Sequence, residues 1–379
     1  AGQITATQDL FTSGLTFEAR IYHINNLVDR FAFGSSQLGL SKSSSHSEES
    51  RSAAIFTLRQ PEIKHIKTRF AFGFGYEQAQ LRDGTIEQAL LDGSTPVMSK
   101  FPGIGETRDI GHVLLDARTV LPDDRWALNY GGRLDEYSEL GIQATPRLGL
   151  VFQPDPNTAY KLLYNKAFRA PTISEEFRSS TNLNPETLDS YEFVFAKKYE
   201  SWIAEITLFE NHWEDGIIFV LDPSLPTGFE YRNEGKNRAR GVEASCSWLS
   251  QSWRIDLSGS YVESKNLKTD MDYELFPQMM GAIGVTRKFT NGTEFSVYNS
   301  ISDQAMDISS PIGSYAPQDL PVFWRTDLTF KKPLSTNVDF FANVLNLFNR
   351  NNRVPAVLCF PDGEEDGAFR ASLGLRAKW

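Results

Sequence analysis

The C-terminal segment alternates without a break between apolar residues and charged or small ones. Phe369, Ala371, Leu373, Leu375, Ala377 and Trp379 take every second place, against Arg370, Ser372, Gly374, Arg376 and Lys378. Successive side chains of an extended strand point to opposite sides, so the two sets lie on two faces of a sheet. A face with two arginines and a lysine cannot rest on a dry core, because unpaired buried charge is too costly. That face needs water, and the apolar one needs lipid or another layer.

The same period recurs along the chain. Trp253, Ile255, Leu257, Gly259 and Tyr261 alternate with Arg254, Asp256, Ser258 and Ser260, and Thr293, Phe295, Val297 and Ile301 oppose Glu294, Ser296 and Ser300. Trp324, Thr326, Leu328 and Phe330 oppose Arg325, Asp327 and Lys331, while Trp126, Leu128, Tyr130 and Leu134 oppose Asn129 and Arg133. No long window has a helical period, so the chain reads as all-β. Its connections alternate in kind. Tight ones fall at Pro122–Asp124, Pro154–Asn157, Glu200–Ser201, Ser250–Ser252, Asn291–Gly292 and Pro333–Thr336. Long polar ones lie between them, at about 82–108, 170–187, 221–235, 266–275, 304–320 and 347–366. Tight turns at one end and long loops at the other are the layout of an antiparallel transmembrane β-barrel. A sandwich does not keep that alternation. Counting back from Trp379 gives about 17 strands. The first four fall roughly at 14–23, 27–40, 50–60 and 64–81, with Ser41–Ser50 as a polar loop.

Composition removes the competing classes. The net charge of −10 offers no basic stripe for nucleic acid. No run of about 18 apolar residues exists, which excludes helical membrane spans. A mean hydropathy of −0.35 suits barrel strands that are apolar only at alternate positions. Five of the seven tryptophans, Trp126, Trp202, Trp248, Trp253 and Trp379, fall on the tight-turn rim, where an indole sits well at headgroup level. Cys246 and Cys359 form no CxxC, and His23, His46, His65, His112 and His212 form no HxxxH or HExxH. No GxSxG or Cys/His pairing appears, so no catalytic residue, metal ligand or cofactor is assigned. Gly103-Ile104-Gly105 is too short for a phosphate loop. The acidic run Asp362–Gly367 reads as a solvated loop, with a divalent-cation bridge to lipopolysaccharide as the sharper alternative.

The segment Trp126–Glu192 resembles the TonB-dependent receptor family. Gly131, Arg133, Asp135 and Tyr137 match its G-x-R-x-D-x-Y strand, followed by Pro146 and Arg147. Phe168, Arg169, Pro171, Glu175 or Glu176, Pro185, Glu186 and Glu192 fit the tract that follows. Asn237, Arg240, Gly241 and Glu243 are similar to a further strand of that family, and Asn343, Val344, Asn346, Leu347 and Phe348 to its penultimate one. Trp379 stands where the family usually ends in Phe, the signal for outer-membrane insertion. The resemblance is good over about 110–379 and rests on pattern alone before that.

This resemblance implies an outer-membrane receptor for active uptake of a scarce solute, first of all an iron–siderophore complex, otherwise cobalamin, haem or an oligosaccharide. Its partners would be outer-membrane lipid and lipopolysaccharide, TonB, a plug domain and the small-molecule ligand. Loop residues Phe101, Phe177, Arg178, Phe229, Tyr231, Arg232 and Tyr315 are the candidates for holding that ligand. Arg133, Arg147, Arg169, Arg240, Arg254, Arg325 and Arg376, interleaved with Glu192, Glu205, Glu243, Asp256 and Asp327, are expected to form a wet charge lattice on the lumen wall. A plugless diffusion porin is the competing reading, and an enzyme barrel a weaker third. Nothing in residues 1–379 resembles the plug, so the whole chain reads as one partial barrel of the family's about 22 strands. Open strand edges in hydrocarbon cost several kcal/mol per unpaired group. The 379-residue chain alone is therefore expected to give no stable single-channel conductance in planar bilayers, and a stable heat-modifiable pore would refute this.

Overall fold

The computed structural model describes residues 2–9, 14–33, 40–90, 93, 95–221, 224–225, 229–272, 276–307, 318–355 and 364–377. Tyr315, Cys359, Asp362, Gly363 and Trp379 lie outside them. The chain opens with β1 (Gly2–Asp9), β2 (Thr16–Phe33), β3 (Leu40–Ile63), β4 (Thr68–Leu90) and β5 (Val97–Lys100). Next come β6 (Thr107–Val120), β7 (Trp126–Tyr137), β8 (Gly141–Asp155), β9 (Thr158–Arg169) and a single helical turn, α1 (Ile173–Glu176). β10 (Glu186–Tyr199), β11 (Trp202–Leu221), β12 (Phe229–Leu249) and β13 (Trp253–Asn266) follow. After these are β14 (Met271–Asp272), β15 (Met279–Lys288), β16 (Glu294–Ser302), β17 (Met306–Asp307) and β18 (Gln318–Asp319). The last elements are β19 (Phe323–Ser335), β20 (Val338–Leu345), β21 (Arg353–Val354), β22 (Glu364–Glu365) and β23 (Arg370–Ala377).

Nineteen of these strands share one sheet, with β17–β18 and β21–β22 as separate two-stranded ribbons. Setting aside the short β5 and β14 leaves seventeen, equal to the total of about 17 read from the alternation, although β1 was not among the expected strands and β2 stands in place of two of them. Among the described residues the ladders are antiparallel, either between sequence neighbours or, as in β4–β6, β13–β15, β16–β19 and β20–β23, across short intervening strands. The chain divides into two compact units. One holds residues 1–152, 161–191 and 211–237, the other 153–160, 192–210 and 238–379.

Each unit carries the two faces that the period of two demands. In the first, Val113 opposes Leu134, and both are about half exposed. The opposite face of the same strands carries His112 beside Asp135, Leu114 beside Arg133, and Asp116 within 3.1 Å of Arg147. Tyr22 donates to Glu77 at 2.7 Å on that face, and Arg51 reaches Glu77 at 3.3 Å. In the second unit Leu373 and Leu375 stand out on one side of β23, while Arg376 faces Asp339 on the other. Arg254 grips Asp256 and Arg325 grips Asp327. The expected lattice is thus made largely of short-range ion pairs on a polar face. Arg240 is the exception. Its carboxylate partner Glu263 lies two residues on from Tyr261 and so shares its face, the exposed apolar side of β13.

The early strands differ from expectation. β2 runs unbroken through 16–33, where two separate strands were expected, and Ser41–Ser50 lies inside β3. Eighteen register pairs tie β2 to β3, and β4 covers the other side, so both flanks of the serine segment have backbone partners. Serine has no strand preference to advertise, and a segment made of polar residues throughout shows no apolar alternation. β4 likewise extends to Leu90, into the stretch that reads as a long loop.

Two motif glycines have a steric cause. A Cβ on Gly131 would stand 2.2 Å from the Leu115 carbonyl oxygen, and one on Gly241 2.2 Å from that of Tyr261. Neighbouring backbone leaves room for hydrogen only. Gly131→Ala and Gly241→Ala are each expected to destabilise the fold by about 1–3 kcal/mol through overpacking. Urea unfolding midpoints in detergent, set against Gly111→Ala, whose Cβ meets nothing, would check this.

Candidate functional site

At the long-loop end of the first unit, residues from four distant segments surround one cavity of about 450 Å³. Gln88 of β4, Lys100 of β5, Phe177 to Ser180 after α1, and Phe229 with Glu230 at the start of β12 line it. Arg178 is central. Its guanidinium carbon lies 5.9 Å from the Phe101 ring centre and 5.3 Å from that of Phe229. Phe229 stacks on Phe219 at 4.6 Å, and Tyr231 meets both rings edge-on. Two phenyl faces stabilise the cation through their quadrupoles. Burial still pulls the Arg178 guanidinium down from its ordinary pKa. Its Nε is buried without a hydrogen-bond partner among the described residues.

The sequence explains why the loop holds Arg178 there. Thr172 caps α1 reciprocally with Glu175, a capping box that starts the turn directly after the buried Pro171. Arg169 Nε donates to Glu186 at 2.5 Å and its Nη1 to Glu175 at 2.9 Å. The second Glu186 oxygen accepts the Ile217 amide at 2.7 Å. Arg108, mostly buried, donates to the Pro171 carbonyl at 2.7 Å and to Glu176 at 3.1 Å, and pairs with Glu139. Phe168 sets its edge on Tyr137 at 5.7 Å. Past the turn, the Tyr231 amide donates to the Arg178 carbonyl and the Ser180 amide to Glu230. Asn184 and Asn233 exchange bonds at 2.7 and 2.9 Å. Gly103, at φ +83°, presses on Ile173 and Phe177 where a side chain would clash. That contact accounts for Gly103, whereas Gly105 is set by its own φ of +90° and meets nothing.

Of the seven loop candidates, Phe177, Arg178 and Phe229 line the cavity, Phe101 and Tyr231 back it, and Arg232 grips its Glu230 with Nε at 2.5 Å. Tyr315 lies outside the described residues. Pro146 packs its backbone against Gly132, Pro185 stands directly before β10, and Glu192 sits within β10, all away from the cavity. Glu243 lines a second hollow of about 350 Å³ together with Glu205 on the polar face of the other unit. Asn346 is fully buried at φ +51° and bonds the Arg350 and Gly367 carbonyls, tying the loop before β23 to the end of β20. In that loop Asp366 is held by Arg325 at 2.8 Å and Glu365 by Arg353 at 3.5 Å. Two of the acidic residues offered for a divalent cation are therefore already engaged. No group of three metal-ligating side chains occurs among the described residues. Sequence reasoning missed Lys100, Arg108, Phe219 and Glu230. The first two sit in a stretch taken for loop, and Glu230 between aromatic candidates carries no signal of its own.

Two carboxylates respond oppositely to acid. Burial holds Glu176 above the usual glutamate range, outweighing Arg108. Its contribution to stability is greatest in acid and is lost as pH rises through that raised pKa. Hydrogen bonds from Ser180, then Arg232, hold Glu230 below the usual range. Its contribution is present above that range and is lost only as pH falls through the depressed value. Glu230→Gln is expected to speed amide exchange at Ser180 and Tyr231 at neutral pH, whereas Glu176→Gln leaves those amides unchanged. Equal effects would contradict this assignment.

Comparison with known proteins places this geometry. Residues 3–347 match the family model described as TonB dependent receptor-like, beta-barrel. The metal-pseudopaline receptor CntO of Pseudomonas aeruginosa is 25% identical over 232 residues, covering 58% of this chain and 32% of that protein. The vitamin B12 transporter BtuB of Vibrio cholerae is 35% identical over 123 residues, covering 31% and 19%. Among solved structures, the pyoverdine outer membrane receptor FpvA from Pseudomonas aeruginosa superposes with a TM-score of 0.78 at 15% identity, over all of this chain and 61% of that one. The chain thus spans a third or less of the two curated relatives.

Proposed function

The chain belongs to the TonB-dependent receptor β-barrel family of the outer membrane, and from that premise we propose that it forms the wall and outer vestibule of an importer for an anionic metal chelate, first of all an iron–siderophore complex. One observation carries the reading. Phe177, Arg178 and Phe229 meet around one cavity, and the buried Arg178 Nε has no hydrogen-bond partner among the described residues. Flat apolar rings with a desolvated cation between them suit a ligand that is both hydrophobic and negatively charged. The metal-pseudopaline and pyoverdine receptors support the same class of ligand.

In this reading the barrel's part is passive. The polar face lines the lumen, where paired charges keep the wall wet and rigid against a plug supplied by the rest of the protein. Ligand seated outside would signal to TonB, and force from the inner membrane would displace the plug. Arg178→Ala is expected to weaken binding of ferric siderophore by about tenfold, the loss of one charge-assisted contact. Equilibrium titration with catecholate, hydroxamate and carboxylate chelates would check it. Uptake that persists in cells without TonB would instead favour the diffusion porin.

A further inference from the structure

The outer belt of the second unit contains a cation, Arg287, that makes no ion pair with a protein carboxylate among the described residues. Across five ladders, Trp253, Arg287, Phe295, Phe330, Ala342 and Leu373 stand in one row. Two positions further from the tight turns, the parallel row reads Ile255, Val285, Val297, Leu328, Val344 and Ala371. This is the lipid-contacting side: Leu257 and Leu373 are 54% and 75% exposed. Arg287 is the only charged side chain in either row.

Its position is built. The guanidinium carbon lies 4.6 Å from the Trp253 ring centre and 5.6 Å from that of Phe289. Both rings are themselves substantially exposed. Among the described residues no carboxylate forms an ion pair with Arg287, while its neighbour Lys288 on the opposite face pairs with Glu294. The tight turns at Ser250–Ser252 and Phe289–Thr293 put Arg287 within a few residues of the rim. Arginine on a barrel's lipid face is costly at the midplane and nearly free at the interface. Two rings hold this one in place, where a free side chain could swing out to water. At that depth the available anion is the phosphodiester of a lipid headgroup, which a guanidinium can engage with two parallel N–H donors.

We propose that Arg287, with Trp253 and Phe289, is a phospholipid-phosphate site on the lipid-contacting face beside the tight-turn rim. The rings orient the guanidinium edge toward the headgroup, and the apolar row above receives the acyl chains. The site is independent of the ligand cavity in the other unit.

The test uses the gene product that carries this chain, purified from outer membranes and titrated with phosphatidylglycerol in detergent under native mass spectrometry. Arg287→Gln is expected to lower lipid retention about fivefold, the ratio for one interfacial cation. Arg287→Lys keeps the charge without the fork and should fall between. Should Arg287→Gln not fold, Trp253→Leu, which leaves the cation and removes its support, is expected to reduce retention as well. Retention equal to the parent in the folded variants overturns the proposal. Displacement of the lipid by inorganic phosphate at matched concentration overturns it too, since the site would then take a free anion.

Discussion

Hydrocarbon leaves no backbone N–H or C=O a partner except another strand, and most of this structure follows from that. Each strand must be paired along its length within the membrane, so register is everything: a slip of one residue would put Arg133, Arg254 or Arg376 into lipid and Leu134, Leu257 or Leu375 into water. The strict alternation is the chemical record of that demand. Gly131 and Gly241 mark where neighbouring backbones come closest, with a carbonyl oxygen 2.2 Å from where a methyl would start.

The polar face meets a different requirement. Most charges there stay within reach of water, Asp135 and Asp339 being buried exceptions, so each exposed pair contributes little, of the order of 1 kcal/mol or less. Their number and short spacing, Arg133 to Asp135 or Arg325 to Asp327, make a lattice that holds side chains in set positions. Above it, Arg169, Glu175, Glu186 and Arg108 serve another end. They bind one helical turn to two strands, and through it they fix Arg178 between two rings. The motif residues are the mounting of the candidate site, and the loop residues are its surface.

Much of this was legible in the sequence. Alternation showed the strands from β6 onward and both faces, because lipid on one side and water on the other stamp each second residue. Loop aromatics and arginines were legible as candidates by type, and five of the seven converge on the cavity. What failed to show did so for stated reasons. Ser41–Ser50 lacks alternation because both of its faces are polar, and Arg240 sits opposite its expected side because it pairs with Glu263. Lys100 and Arg108 join the site through contacts across long sequence distances, which no local pattern carries.

The length of β3 has a consequence of its own. Crossing the bilayer takes about ten tilted residues, and β3 has 24, with β4 at 23 beside it. More than half of that hairpin therefore stands clear of lipid, stiffened by a long ladder with a register shift at Glu48–Glu49 yet free of the apolar code that governs the rest. Residues there can drift in identity without harming membrane insertion.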